Sequence, residues 1–165
     1  MLASEHDWPS GARALLARFT HLNLPDGEWP WHYGGNFPKD LPDEAGATHI
    51  GMFVVWALLS GLAGDIHVRD FPDTIPNLRS HSLTPGKFFL EMCDGKFTDE
   101  DLTEEGNAFA LAYFDFEKGS YLRDYEATLG KNVTTLYHVE DTWTNFDRLK
   151  IVLEQRFIEW KSKRQ

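Results

Sequence analysis

The longest apolar run lies in the first half of the chain. From Asp43 to Gly64 the sequence reads DEAGATHIGMFVVWALLSGLAG, and Ile50 to Leu59 holds no charged, amide or hydroxyl side chain. In a soluble protein such a segment has to be enclosed by the rest of the fold, because water expels apolar surface on every side. The pattern predicts a buried central helix. His49 sits at its edge, and Phe53 and Trp56 follow at helical spacing.

Shorter amphipathic segments flank it. Ala12, Leu15, Leu16, Phe19 and Leu22 recur at helical spacing and predict a helical extension over residues 1–28, ended by Pro25-Asp26-Gly27. Glu28–Pro42 carries three prolines, Gly34-Gly35, and Trp29, Trp31, Tyr33 and Phe37, which predicts an ordered irregular loop. Pro72 and Pro76 leave room for one short turn anchored by Phe71, Ile75 and Leu78. Thr84-Pro85 starts a helix with Phe88, Phe89, Met92 and Cys93 on its apolar face and Gly95 at its stop. Thr98 starts another, with Asp99, Glu100 and Asp101 in the first turn and an inward stripe of Leu102, Phe109, Ala112, Tyr113 and Phe116. Tyr121, Leu122, Tyr125 and Leu129 make a shorter helix closed by Gly130. Val133–Tyr137 is a brief β-favouring run without a partner strand. Trp143, Phe146, Leu149, Leu153, Phe157 and Trp160 trace one face of a long final helix. The expected fold is mostly α: one domain over 1–165, five or six helices around the buried central one, and an aromatic-rich loop.

Composition adds a charge argument. With 26 Asp and Glu against 16 Lys and Arg, the chain carries a net charge of −10. Nucleic acid and anionic membranes attract cationic faces, so neither is expected as a partner. The one cysteine, Cys93, excludes an intramolecular disulfide and suits a reducing compartment. The N-terminus lacks a signal-peptide pattern, and Ile50–Leu59 falls short of the roughly 20 apolar residues a bilayer span takes, so a cytoplasmic location is expected.

Candidate chemistry is sparse. No His-x-x-x-His or His-Glu-x-x-His pair occurs among the seven histidines. His138, Glu140 and Asp141 are close in sequence, but a metal site there needs His32 and His49 from other segments, so no metal and no cofactor is expected. Asp94–Glu105 has the length of a calcium loop, yet Lys96 and Asp99 occupy its third and sixth positions, where an oxygen ligand and glycine belong. Cys93, beside Met92 near a helix end, reads as a buried structural thiol. There is no Gly-x-Ser-x-Gly elbow and no phosphate loop, and no residue is assigned as catalytic.

Three strings carry a family likeness: Trp31-His32-Tyr33-Gly34-Gly35, then Thr48-His49-Ile50-Gly51-Met52-Phe53, then Tyr137-His138-Val139-Glu140-Asp141-Thr142-Trp143. With Gly106-Asn107-Ala108-Phe109-Ala110 between, the chain from Trp31 to Trp160 resembles a family of small bacterial proteins of unknown function. The resemblance implies bacterial origin and an association with toxin–immunity loci. It divides the chain into an extension, 1–28, and a family-like core, 29–165.

Two functional expectations follow. The first is an acidic protein-binding module of the immunity type that masks a basic toxin domain, with contacts from Asp99, Glu100, Asp101, Glu104 and Glu105 and from the Trp29–Phe37 loop. The second is a small-ligand binder or enzyme whose pocket gathers Trp31, His32, Tyr33, His49, His138, Glu140 and Asp141.

Overall fold

A computed structural model describes residues 38–114 and 119–165. The expected N-terminal extension, the loop bearing Trp29, Trp31, His32, Tyr33 and Phe37, and Phe116 lie outside the described residues.

A 3-10 turn, Asp43–Ala47, leads into helix α1, Thr48–Ala57, which continues as a π-helical turn, Leu58–Leu62. All ten residues of α1 are buried. The whole run, Asp43–Leu62, is 20 residues long with a mean hydropathy of 1.5 over its most apolar window. By length and composition it is apolar enough to cross a membrane, yet 78% of that window is buried within the chain. Its lipid-like surroundings are supplied by the protein itself.

The remaining elements wrap this axis. They are a π-helical turn, Ile66–Asp70; α2, Thr74–Arg79; α3, Pro85–Met92; a 3-10 turn, Asp99–Asp101; α4, Glu104–Tyr113; α5, Tyr121–Leu129; a 3-10 turn, Leu136–His138; and α6, Trp143–Ser162. The mostly helical single-domain architecture matches the expectation from sequence. Helix α1 packs most extensively on α3 and also meets α6, while α5 lies along α6. Phe53 stands at the centre of an aromatic cluster. Its ring centroid lies 4.6 Å from that of Phe114, 5.5 Å from Tyr121, 5.8 Å from Trp56 and 6.2 Å from Phe109. From α6, Phe157 closes the cluster by meeting Trp56 and Phe109 edge-on.

Several local expectations change. Thr98 caps only the 3-10 turn, in a reciprocal box with Asp101. Leu102 is then extended and forms an isolated antiparallel bridge with Ala63, and a second cap, Thr103, starts α4 by accepting the Gly106 N–H. Pairing with the chain that leaves α1 thus interrupts what the apolar pattern reads as one helix. Ala112 faces solvent, off the buried stripe of Phe109, Ala110 and Tyr113. Met92, expected on an apolar face, and Phe71, expected to anchor a short turn, are 46% and 53% exposed. Val133–Tyr137 meets no strand among the described residues and ends in the 3-10 turn.

Two contacts set the tolerance of this packing. At Gly51 an added Cβ would lie 2.4 Å from the Pro85 carbonyl oxygen, so the α1–α3 approach requires glycine. Between α5 and α6, the Asp124 carboxylate accepts from Arg156 Nε at 2.7 Å and Nη2 at 3.0 Å, and from the Tyr113 hydroxyl at 2.9 Å. Burial would raise the pKa of Asp124, but the hydrogen bonds from Arg156 and Tyr113 outweigh it and hold the carboxyl below its usual value.

Gly51→Ala is expected to cost about 1–3 kcal/mol in urea unfolding, the usual range for overpacking a core. For Asp124 the folded pKa lies below the unfolded one, so its stabilisation is complete above an unfolded value of about 3.9 and is lost as pH falls through the folded value. Melting temperatures measured down through that window should fall less steeply for Asp124→Asn than for the unmodified chain.

Candidate functional site

The groups expected to carry chemistry divide into those the fold uses as internal ties and those it leaves outside. His49 belongs to the first kind. It is buried in the first turn of α1, with its ring edge-on to Tyr125 at 6.0 Å and to Tyr137 at 6.5 Å. Its backbone carbonyl accepts the buried Tyr121 hydroxyl, which pins α5 to the start of α1. Burial raises the pKa of Tyr121 far above the ordinary tyrosine value, and it raises that of Tyr137 too. Both hydroxyls therefore stay protonated, and Tyr121 remains a donor.

The segment Tyr137–Asp141 does reach α1, through Tyr137. His138 turns elsewhere. Its Nδ1 pairs with the Thr135 hydroxyl at 2.9 Å, and its Nε2 with Asp40 at 3.1 Å. The hydrogen bond from His138 holds the exposed Asp40 carboxyl below its ordinary value. Glu140 is exposed, and its backbone carbonyl accepts from Asn145 Nδ2 at 2.9 Å. Asp141 caps the start of α3 from a distance in sequence. It accepts from the Thr84 hydroxyl, from the Gly86 N–H at 2.8 Å and from the Lys87 N–H at 3.2 Å. The two N–H groups are donors that a helix N-terminus leaves without intrahelical partners, and a carboxylate also suits the positive end of its dipole. Of the expected pocket, His138, Glu140 and Asp141 make the contacts just described, His49 meets Tyr137, and Trp31, His32 and Tyr33 lie outside the described residues.

Asp99, Glu100, Glu104 and Glu105 are exposed, with Glu105 paired to Lys161 of α6 at 2.8 Å. Asp101 is not. Only 6% exposed, it turns inward from the same short turn, so it does not share the solvated face on which its neighbours stand.

Asp101 meets His67 there, with Asp101 Oδ1 2.9 Å from His67 Nε2. Its other oxygen accepts from the Thr98 N–H at 2.6 Å and from the Thr98 hydroxyl at 3.2 Å. Cys93, the C-cap of α3, completes the cluster: one donor atom from each of His67, Cys93 and Asp101 lies within 4.8 Å of the others. Burial, with the charge of Asp101 added, pushes the Cys93 thiol well above its ordinary pKa, so it is protonated at neutral pH.

Three separate elements build this cluster. Gly64 donates its N–H to the Asp101 carbonyl at 2.9 Å, and Thr103 donates to Leu62 at 2.8 Å. A Cβ at Gly64 would lie 2.1 Å from the Glu100 carbonyl oxygen, so glycine alone allows the approach. The π-helical turn that follows, Ile66–Asp70, then carries His67 onto Asp101. Neither His67 nor its pairing with Asp101 was singled out by the sequence. The three residues sit 26 and 8 positions apart with no local motif, and the one available signal was the Thr98-x-x-Asp101 box, which points that carboxylate back at its own turn.

A family model described as "Domain of unknown function (DUF7832)" matches residues 28–139, and the chain belongs to that family. The match ends before α6, which the resemblance seen in sequence had included up to Trp160. No curated protein and no solved structure matches the chain.

Removing the remote cap should be costly. Asp141→Ala leaves three donors at the start of α3 without their acceptor, and a loss of about 1–3 kcal/mol in urea unfolding is expected, with Asp141→Asn retaining part of it.

Proposed function

We propose that this DUF7832 protein is an acidic protein-binding module of the immunity type, whose partner is a basic protein domain. The observation that carries the reading is the uneven distribution of charge. Residues 1–142 hold 23 acids and 10 Lys and Arg, whereas residues 143–165 hold three acids and six Lys and Arg. The acids are densest over Asp94–Glu105, where six stand with one lysine, and Asp99, Glu100, Glu104 and Glu105 are exposed there. Such a field speeds encounter with a cationic surface and orients it.

Charge alone gives little affinity, so an apolar anchor is needed beside it. Ile158 on α6 is 67% exposed. It stands one turn before Lys161, the residue that ties α6 to Glu105, and therefore at the rim of the acidic segment. Ile151, two turns earlier on the same helix face, is 68% exposed. A basic partner seated over Asp99–Glu105 would meet these carboxylates and, at their rim, Ile158, while the cationic end of α6 bounds the surface it can cover.

The test is co-expression with each basic protein domain encoded beside this chain, scored by growth for any that proves toxic, followed by calorimetric titration of the purified pair. Protection, together with an affinity that falls with added salt and drops about tenfold or more in Asp99→Lys/Glu104→Lys, is expected. Absence of protection and of binding with every basic neighbour would sink the reading.

A further inference from the structure

We propose that His67, Cys93 and Asp101 form a binding site for one zinc ion. This inference is independent of the binding-module reading, since it concerns the interior and not the exposed face.

The donor set is of the kind zinc accepts: one imidazole nitrogen, one sulfur and one carboxylate oxygen. In a tetrahedral site with the usual bond lengths these donors stand about 3.3–3.8 Å apart. Here they lie within 4.8 Å of one another, with His67 Nε2 and Asp101 Oδ1 at 2.9 Å, so small side-chain adjustments bring all three to bonding distance. His67 and Asp101 are 4% and 6% exposed, and Cys93 is half-buried. Three protein donors leave a fourth position for water, and Cys93 marks the least enclosed side.

The surroundings orient the donors as metal sites require. Asp101 Oδ2 is held by the Thr98 N–H and hydroxyl, which leaves Oδ1 directed at His67 and the space beside it. Such outer hydrogen bonds fix ligand orientation. His67 rides on a π-helical turn, a distortion that recurs at functional sites.

Charge balance favours the dipositive ion. The carboxylate of Asp101 and a thiolate at Cys93 together neutralise it, so the buried cluster ends with no net charge. On binding, the Cys93 thiol proton leaves for solvent. The imidazole proton moves from Nε2 to Nδ1, which frees the nitrogen that already faces Asp101. An ordinary buried His–Asp hydrogen bond explains two of the three residues. It gives no role to a thiol facing the same point.

The experiment uses the full chain, stripped with a chelator and titrated with cobalt(II) as a spectroscopic stand-in, then with zinc. One equivalent of cobalt should produce tetrahedral visible bands with a sulfur-to-cobalt charge-transfer band, zinc should displace it, and about one proton should be released per ion. Cys93→Ser should lose the charge-transfer band, and His67→Gln should bind about tenfold or more weakly, with circular dichroism confirming that each variant is folded. Should either variant fail to fold, zinc-edge X-ray absorption of the unmodified chain reads the ligands directly, with one sulfur expected among lighter donors. A cobalt titration without a sulfur band, or a zinc spectrum without a sulfur ligand, overturns the proposal.

Discussion

Enclosure of α1 is the constraint on which the rest of the structure depends. A helix buried at all ten positions has no solvent face, so its neighbours must cover it on every side. Close approach on one side comes from Gly51 against Pro85 and Gly86 of α3. On another side the gap is wide and is filled by rings, with Phe53 meeting Phe97, Phe109, Tyr113, Phe114 and Tyr121. Small residues and large rings on one helix thus set the distances at which α3, α4 and α5 can sit. Each ring also contributes large apolar area, which is where most of the favourable free energy of such a fold originates.

Burying so much leaves the fold with ends to satisfy, and long-range polar ties do this. Tyr121 reaches back to the His49 carbonyl at the start of α1. Asp141 supplies the start of α3, and Trp143 donates its indole N–H to the Leu83 carbonyl at 3.1 Å just before it. Asp124 joins α4, α5 and α6 through Tyr113 and Arg156. Each tie joins segments well apart in sequence, and those of Tyr121, Asp141 and Asp124 remove titratable side chains from the list of groups free to do chemistry.

The apolar skeleton was legible because period and burial are directly related. The stripe Trp143 to Trp160 predicts α6, Thr84-Pro85 marks the start of α3, and Gly130 closes α5. What the pattern misjudged were places where a tertiary contact overrides local preference. Leu102 continues the helical stripe in sequence, but pairing with Ala63 draws it into an extended conformation. Polar roles were less legible still. Asp141 looks like a pocket acid beside His138, and only the folded chain shows that its partners are the Thr84, Gly86 and Lys87 donors more than fifty residues earlier. His67 carried no signal at all, because the Gly64–Asp101 approach that gives it a partner has no local trace.

The turn Asp99–Asp101 shows how one short segment serves inside and outside together. Its first two carboxylates face water, whereas the third is drawn in by Thr98 and His67. A 3-10 turn of three residues has too few hydrogen bonds of its own to hold a fixed shape. Its geometry is therefore set from behind, by the inward carboxylate and by the Gly64 N–H bonded to the Asp101 carbonyl. Asn107, donating to the Asp99 carbonyl at 2.7 Å, fixes the other end. The exposed acids are in consequence presented on a backbone anchored to the interior and not on a free loop. Under the proposed binding role this would lower the cost of recognition, since a surface already ordered loses less entropy on binding.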